Sequence, residues 1–111
     1  MKMLTVRLNG KMLCIKDCRG LASVRGLMFD DMRGCDGALI YGGSIWMPFV
    51  KHNLDLVFLD AQRRVVGVQK AVPLTMNPAT WRIYRCSAAK YCLELKEGIV
   101  KRKIAKVKVY E

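Results

Sequence analysis

The sequence predicts a small α+β domain that is mainly β: a mostly antiparallel barrel or sandwich of about seven strands with two short helices. Three stretches carry that prediction. Leu54-Asp55-Leu56-Val57-Phe58-Leu59 is almost continuously apolar, as a strand covered on both faces should be. Met3–Leu8 and residues 11–15 flank Asn9-Gly10, a pair that tolerates the positive φ angles of a two-residue hairpin turn. Residues 90–95 alternate, with Tyr91, Leu93 and Leu95 on one face and Lys90, Cys92 and Glu94 on the other.

The remaining elements follow in order. Asp17 is placed to cap a helix, and Leu21, Val24, Leu27 and Met28 recur at helical spacing within residues 18–32, forming one apolar stripe. Residues 33–37 read as a loop, 38–41 as a strand, Gly42-Gly43-Ser44 as a turn and 45–49 as its partner strand. Pro48 lacks a backbone donor, which assigns it to an edge or a bulge. Asp60 opens a turn, and residues 64–72 return as a strand with Gly67 at a bulge. Residues 73–80, with Pro73, Asn77 and Pro78, make the longest loop, followed by a short strand at 81–85. One or two helical turns are expected at 97–103. Residues 105–110 then end the chain as an edge strand, with Lys106 and Lys108 outward.

Size and composition bound the function. The chain has 111 residues, 52% apolar and 26% charged, enough for one folded domain spanning residues 1–111 and too few for two cores. Its longest uncharged run, 37–50, is shorter than the roughly 20 apolar residues of a membrane helix, and charges throughout the first 13 residues do not fit an export signal. Five cysteines without a CxxC pair suit reduced thiols, so a cytoplasmic location is expected, with no membrane partner. The net charge of +11 is uneven: residues 1–55 carry +3 and residues 56–111 carry +8. A basic half of this kind attracts polyanions.

Several fragments in this order carry a family resemblance: Arg25-Gly26-Leu27-Met28-Phe29, Gly37-Ala38-Leu39-Ile40-Tyr41, Trp46-Met47, residues 54–60, and Tyr91-Cys92-Leu93-Glu94-Leu95 with Gly98. Over residues 18–108 the chain resembles the bacterial and archaeal family called domain of unknown function 192. The resemblance implies a compact β-rich fold with short helices and implies no reaction. Pro48-Phe49 and Asn53 stand where members often have lysine-asparagine and proline, and a Gly-Asp pair common near the family's end is missing after Ile104.

Arg25 and Asp55 are the charged residues within the two most distinctive motifs, and they admit two readings. One is a ligand site at the end of the 54–59 strand, with Arg25 and Asp55 edged by Met28 and Trp46. The other is an ion pair tying helix to strand, since a charge in an apolar motif needs a partner first. A second candidate surface interleaves aromatic and basic residues, Trp81, Arg82, Tyr84 and Arg85, and adds Lys101, Arg102, Lys103, Lys106 and Lys108. Stacking plus phosphate contact is how sequence-tolerant single-strand binding works.

Catalytic chemistry finds little footing. His52 is the only histidine, and nothing marks a cysteine as its nucleophilic partner. Cys14, Cys18, Cys86 and Cys92 lack the close spacing of a zinc site, and no phosphate-cradling glycine loop is present. The sequence therefore reads as a non-enzymatic binding or accessory domain with no cofactor, no catalytic residue and no metal. Its partner is an unknown small ligand or a protein. The alternative is an RNA- or single-stranded-DNA-binding module using the basic C-terminal half, and an enzyme acting on an unidentified small molecule is a third possibility.

Overall fold

The computed structural model describes residues 3–8, 10–18, 34–47, 50, 52–100 and 108–110, without the side chains of Cys18 and residues 108–110. Nine strands are described: β1 (Met3–Leu8), β2 (Lys11–Cys18), β3 (Gly37–Tyr41), β4 (Ser44–Trp46), β5 (Leu54–Leu59), β6 (Val65–Ala71), β7 (Ile83–Arg85), β8 (Tyr91–Lys96) and β9 (Lys108–Tyr110). Seven form one sheet in the order β6-β5-β8-β3-β2-β1-β9, and β4 pairs with β7 in a separate ribbon. All pairings are antiparallel except β2 with β3.

Local chemistry explains several joints. Leu8 pairs with Lys11, so the first turn holds two residues, and Gly10 sits at φ +79°, where glycine carries no Cβ penalty. Phe58 faces Gly67 and Leu59 faces Val65, which leaves Val66 as the extra residue of a bulge. Gly37 lets β3 approach β8 closely, because a Cβ there would overlap the Glu94 carbonyl oxygen.

Strand alternation divides the interior in two. Leu54, Leu56 and Phe58 of β5 join Ala38, Ile40, Ile45, Tyr84 and Cys92 under the β4–β7 ribbon. Val57 and Leu59 face the other way, into a cluster with Leu93, Leu95 and Leu39 and with Leu4, Val6, Leu8, Leu13 and Ile15 of the first hairpin. Strands β1 and β5 are far apart in the sheet order, yet their side chains share a cluster. The sheet therefore rolls until its two halves face each other.

That roll stops short of closure. Strands β6 and β9 each have one neighbour among the described residues, so the sheet is open and not the closed barrel that the sequence allowed. The expected helix at 18–32 lies outside the described residues apart from Cys18, which belongs to β2. At the C-terminal side, residues 97–100 form a turn, and 101–103 lie outside the described residues. Asp17, read as a helix cap, is instead a buried residue inside β2, where its carboxylate accepts a 2.7 Å bond from the Tyr41 hydroxyl. The second strand extends because this buried acid finds its donor in the neighbouring β3.

Two further buried carboxylates lie on β5 and β8. Asp55 is 1% exposed. Its Oδ2 accepts the Gly98 and Val100 backbone N–H groups at 3.1 and 3.3 Å, and its Oδ1 accepts Lys70 Nζ at 3.3 Å. One side chain thus joins β5 to β6 and holds the turn after β8. Glu94 has Ala38 and Leu56 as its cross-strand partners and is 3% exposed. Its Oε1 has no hydrogen-bond partner, and burial pushes its pKa from 4.5 to about 7.

Asp55→Ala leaves two backbone donors without their acceptor and should lower the unfolding free energy by about 3 kcal/mol. Lys70→Ala should cost less than about 1 kcal/mol, because that side chain is 71% exposed and exposed pairs contribute little. Urea denaturation of both variants measures the difference. Glu94 gives a pH dependence of fixed sign. Its proton is held more tightly in the folded state, so its contribution is complete below pH 4.5 and is lost as pH rises towards about 7. The loss amounts to about 3 kcal/mol; Glu94→Gln should remove it, matching the wild type in acid and exceeding it at pH 8.

Candidate functional site: an indole groove on the β4–β7 ribbon

The ribbon places one residue set inward and the other outward. Ile45 pairs with Tyr84 and Trp46 with Ile83. The first pair is buried, whereas Trp46 and Ile83 are 56% and 47% exposed. Trp46, Leu74, Trp81, Arg82, Ile83 and Arg85 line a groove of about 620 Å³. Two indoles, two aliphatic side chains and two guanidinium groups thus meet on one outer surface.

The loop before β7 is tightly wound, which explains how a 58% exposed Trp81 keeps its place. Asn77 Oδ1 caps the Pro78–Thr80 turn by accepting the Ala79 N–H at 3.0 Å. Thr80 Oγ1 accepts the Thr75 N–H at 2.8 Å and donates to the Asn77 carbonyl at 2.7 Å. Thr75 Oγ1 accepts the Asn77 N–H at 3.1 Å. The Trp81 indole N–H then donates to the Thr75 carbonyl at 2.7 Å. The edge of the ring is anchored, which fixes the orientation of its faces. At the other end of the loop, the Leu74 N–H donates to the Met47 carbonyl at 3.2 Å, tying the loop to the end of β4.

Arg82 and Arg85 are both exposed. The Arg82 guanidinium lies 4.7 Å from the centroid of the Tyr84 ring, a cation–π distance. Arg85 shares the outer face with Ser44, its partner across the ribbon. No carboxylate is among the described groove residues. The described lining therefore combines apolar and cationic side chains.

The structure regroups the residues read from sequence. Trp46 lies with Trp81, Arg82 and Arg85, not with Asp55. Asp55 points to the opposite side of β5, is buried, and has both oxygens engaged. Tyr84, considered there as a stacking residue, is 2% exposed, and its hydroxyl accepts the Val72 N–H at 3.1 Å; its ring belongs to the core. Arg25, Met28, Lys101, Arg102, Lys103 and Lys106 lie outside the described residues, as does the side chain of Lys108. His52 is exposed in the segment before β5. Among the described residues no three metal-ligating side chains converge.

Leu74 and Ile83 were missed as groove residues. A run of Trp81-Arg82-Ile83-Tyr84-Arg85 contains the signal for Ile83, since alternation puts it opposite Tyr84. Leu74 had none, because its place depends on the bond to Met47.

Comparison with known proteins agrees with the fold. A crystal structure described as a "putative transcription regulator" from Sinorhizobium meliloti 1021 is similar, with a TM-score of 0.77 and 20% identity over 96% of this chain and 92% of that one. A protein of unknown function from Novosphingobium aromaticivorans DSM 12444 is also similar, with a TM-score of 0.68 and 20% identity over 96% and 83% of the two chains. At such identity the likeness concerns the fold alone. No curated protein matches the chain significantly. The model of the DUF192 family, described as Uncharacterized ACR, matches residues 19–108, and the chain belongs to that family.

Proposed function

We propose that this protein is a non-enzymatic binding domain and that its ligand is single-stranded RNA or DNA, held in the Trp46–Trp81 groove. The observation that carries the reading is the pairing of two exposed, positioned indoles with two arginines, with no acid among the described groove residues. Indole faces accept any base by stacking, and arginines beside them meet the phosphates between bases. The net charge of +11 supplies long-range attraction to the same ligand. A cytoplasmic setting belongs to this reading, since it offers both RNA and the reducing conditions that suit the five cysteines.

The partly apolar groove is also large enough for one small ring-bearing molecule. An oligonucleotide differs from it in making several phosphate contacts, and these weaken steeply as salt rises. The two readings thus separate in one titration.

A fluorescently labelled ten-residue oligouridylate, titrated at about 50 and 200 mM salt, should bind with strong salt dependence. Trp46→Ala and Trp81→Ala should each weaken binding by roughly 5- to 100-fold, the range for one lost stacking partner. Arg85→Ala should reduce the salt slope by about 0.7, as expected for one lost phosphate contact on a single strand. Absence of binding at the lower salt removes the nucleic-acid reading. Binding that ignores both tryptophan substitutions moves the site away from the groove.

A further inference from the structure

At the opposite end of β6 from the groove loop, the turn that joins β5 to β6 holds an arginine in an unusual state. Arg63 has φ +62°, and it is the non-glycine residue with a positive φ among those described. Side chains disfavour that region and glycine occupies it freely. The turn dictates the angle: the Arg63 N–H donates to the Asp60 carbonyl at 3.0 Å, and the Asp60 N–H donates to the Arg64 carbonyl at 3.0 Å.

The side chain is also unusual. Its guanidinium carbon lies 5.5 Å from the centroid of the Tyr91 ring, and its Nε is buried without an acceptor. The nearest acid in sequence, Asp60, is already occupied. Its Oδ1 accepts the Gln62 and Arg64 N–H groups, both at 2.9 Å, and its Oδ2 accepts Arg64 Nε at 3.0 Å. Lys90 stands at the same end of the sheet, with its N–H donating to the Leu59 carbonyl at 2.7 Å. Asp60 is thus engaged by Arg64 and leaves Arg63 without its nearest acid. The ring under Arg63 is itself fixed, since Tyr91 meets Tyr41 edge-on at 5.3 Å and the Tyr41 hydroxyl donates to Asp17.

We propose that Arg63 is an oxyanion-binding residue, its outer guanidinium edge presented over Tyr91 to a phosphate or carboxylate group of a ligand. This site is separate from the indole groove and does not depend on it. Stacking holds the planar fork in one orientation before the anion arrives. The sealed Nε is the consequence of pinning the group against the ring; the outer nitrogens are the ones that meet the ligand.

The test is an NMR titration of the full chain with inorganic phosphate and, separately, with acetate, at ionic strength held constant with potassium chloride. The Arg63 side-chain and Tyr91 ring signals should shift saturably, with a dissociation constant on the order of 1 mM, as for a single-point anion contact. Arg63→Gly should abolish the shift at Tyr91 while keeping the fold, since glycine is at ease at this φ; a melting curve at or above the wild type verifies that. Trp81→Ala should leave the response intact, which separates this site from the groove. A response to phosphate alone assigns the site to phosphate groups, and equal responses assign it to oxyanions generally. No shift with either anion, or the same shift in Arg63→Gly, overturns the proposal.

Discussion

The bond set around Asp55 is the constraint on which the rest of the fold depends. A carboxylate in a strand whose other five residues are apolar would be ruinous without partners. Here it accepts two backbone N–H groups from the turn after β8 and a lysine from β6. Those partners come from β6 and from the turn that follows β8, so the acid ties both neighbours of β5 together at one end. With β5 held in that register, Leu54, Leu56 and Phe58 face the ribbon, and the ribbon's own outer face is left to solvent. The groove is a by-product of that division: what β5 covers on one side determines what β4 and β7 leave bare on the other.

The two halves of the interior differ in how they tolerate polarity. The half under the first hairpin is closed by strands whose outward residues alternate cleanly, with Thr5, Arg7 and Cys14 exposed and Leu4, Val6 and Leu13 buried. The half under the ribbon contains Glu94, a carboxyl group with an unpartnered oxygen. Burial raises this carboxyl to about 7, because a neutral acid fits an apolar cluster far better than a carboxylate does. It makes the stability of this half dependent on proton concentration.

Much of the architecture was legible in the sequence where the signal was local. The continuous apolar run gave β5, Asn9-Gly10 gave the first hairpin, and Asp60 gave the turn that its carboxylate stabilises. What failed to show was sheet order. Lys90, Cys92 and Glu94 look like the wet face of a half-exposed strand, yet β8 lies between β5 and β3, and Cys92 and Glu94 are buried. Strand neighbours are chosen by packing over long sequence distances, which alternation does not encode. The same blindness divided the groove. Trp46 was grouped with Asp55, its neighbour in sequence, because only the pairing of β4 with β7 brings it beside Trp81.

Among the described residues the open sheet has two margins without a further strand, β6 and β9, and the bulge at Val66 acts on the first. Val66 and Val68 are partly exposed on β6, which otherwise makes an attractive template for another chain's strand. The inserted residue breaks the even spacing of donors and acceptors along that margin and increases its twist. A second molecule could not zip along it in register. The irregularity opposite Phe58 and Leu59 therefore works against fibril-like stacking.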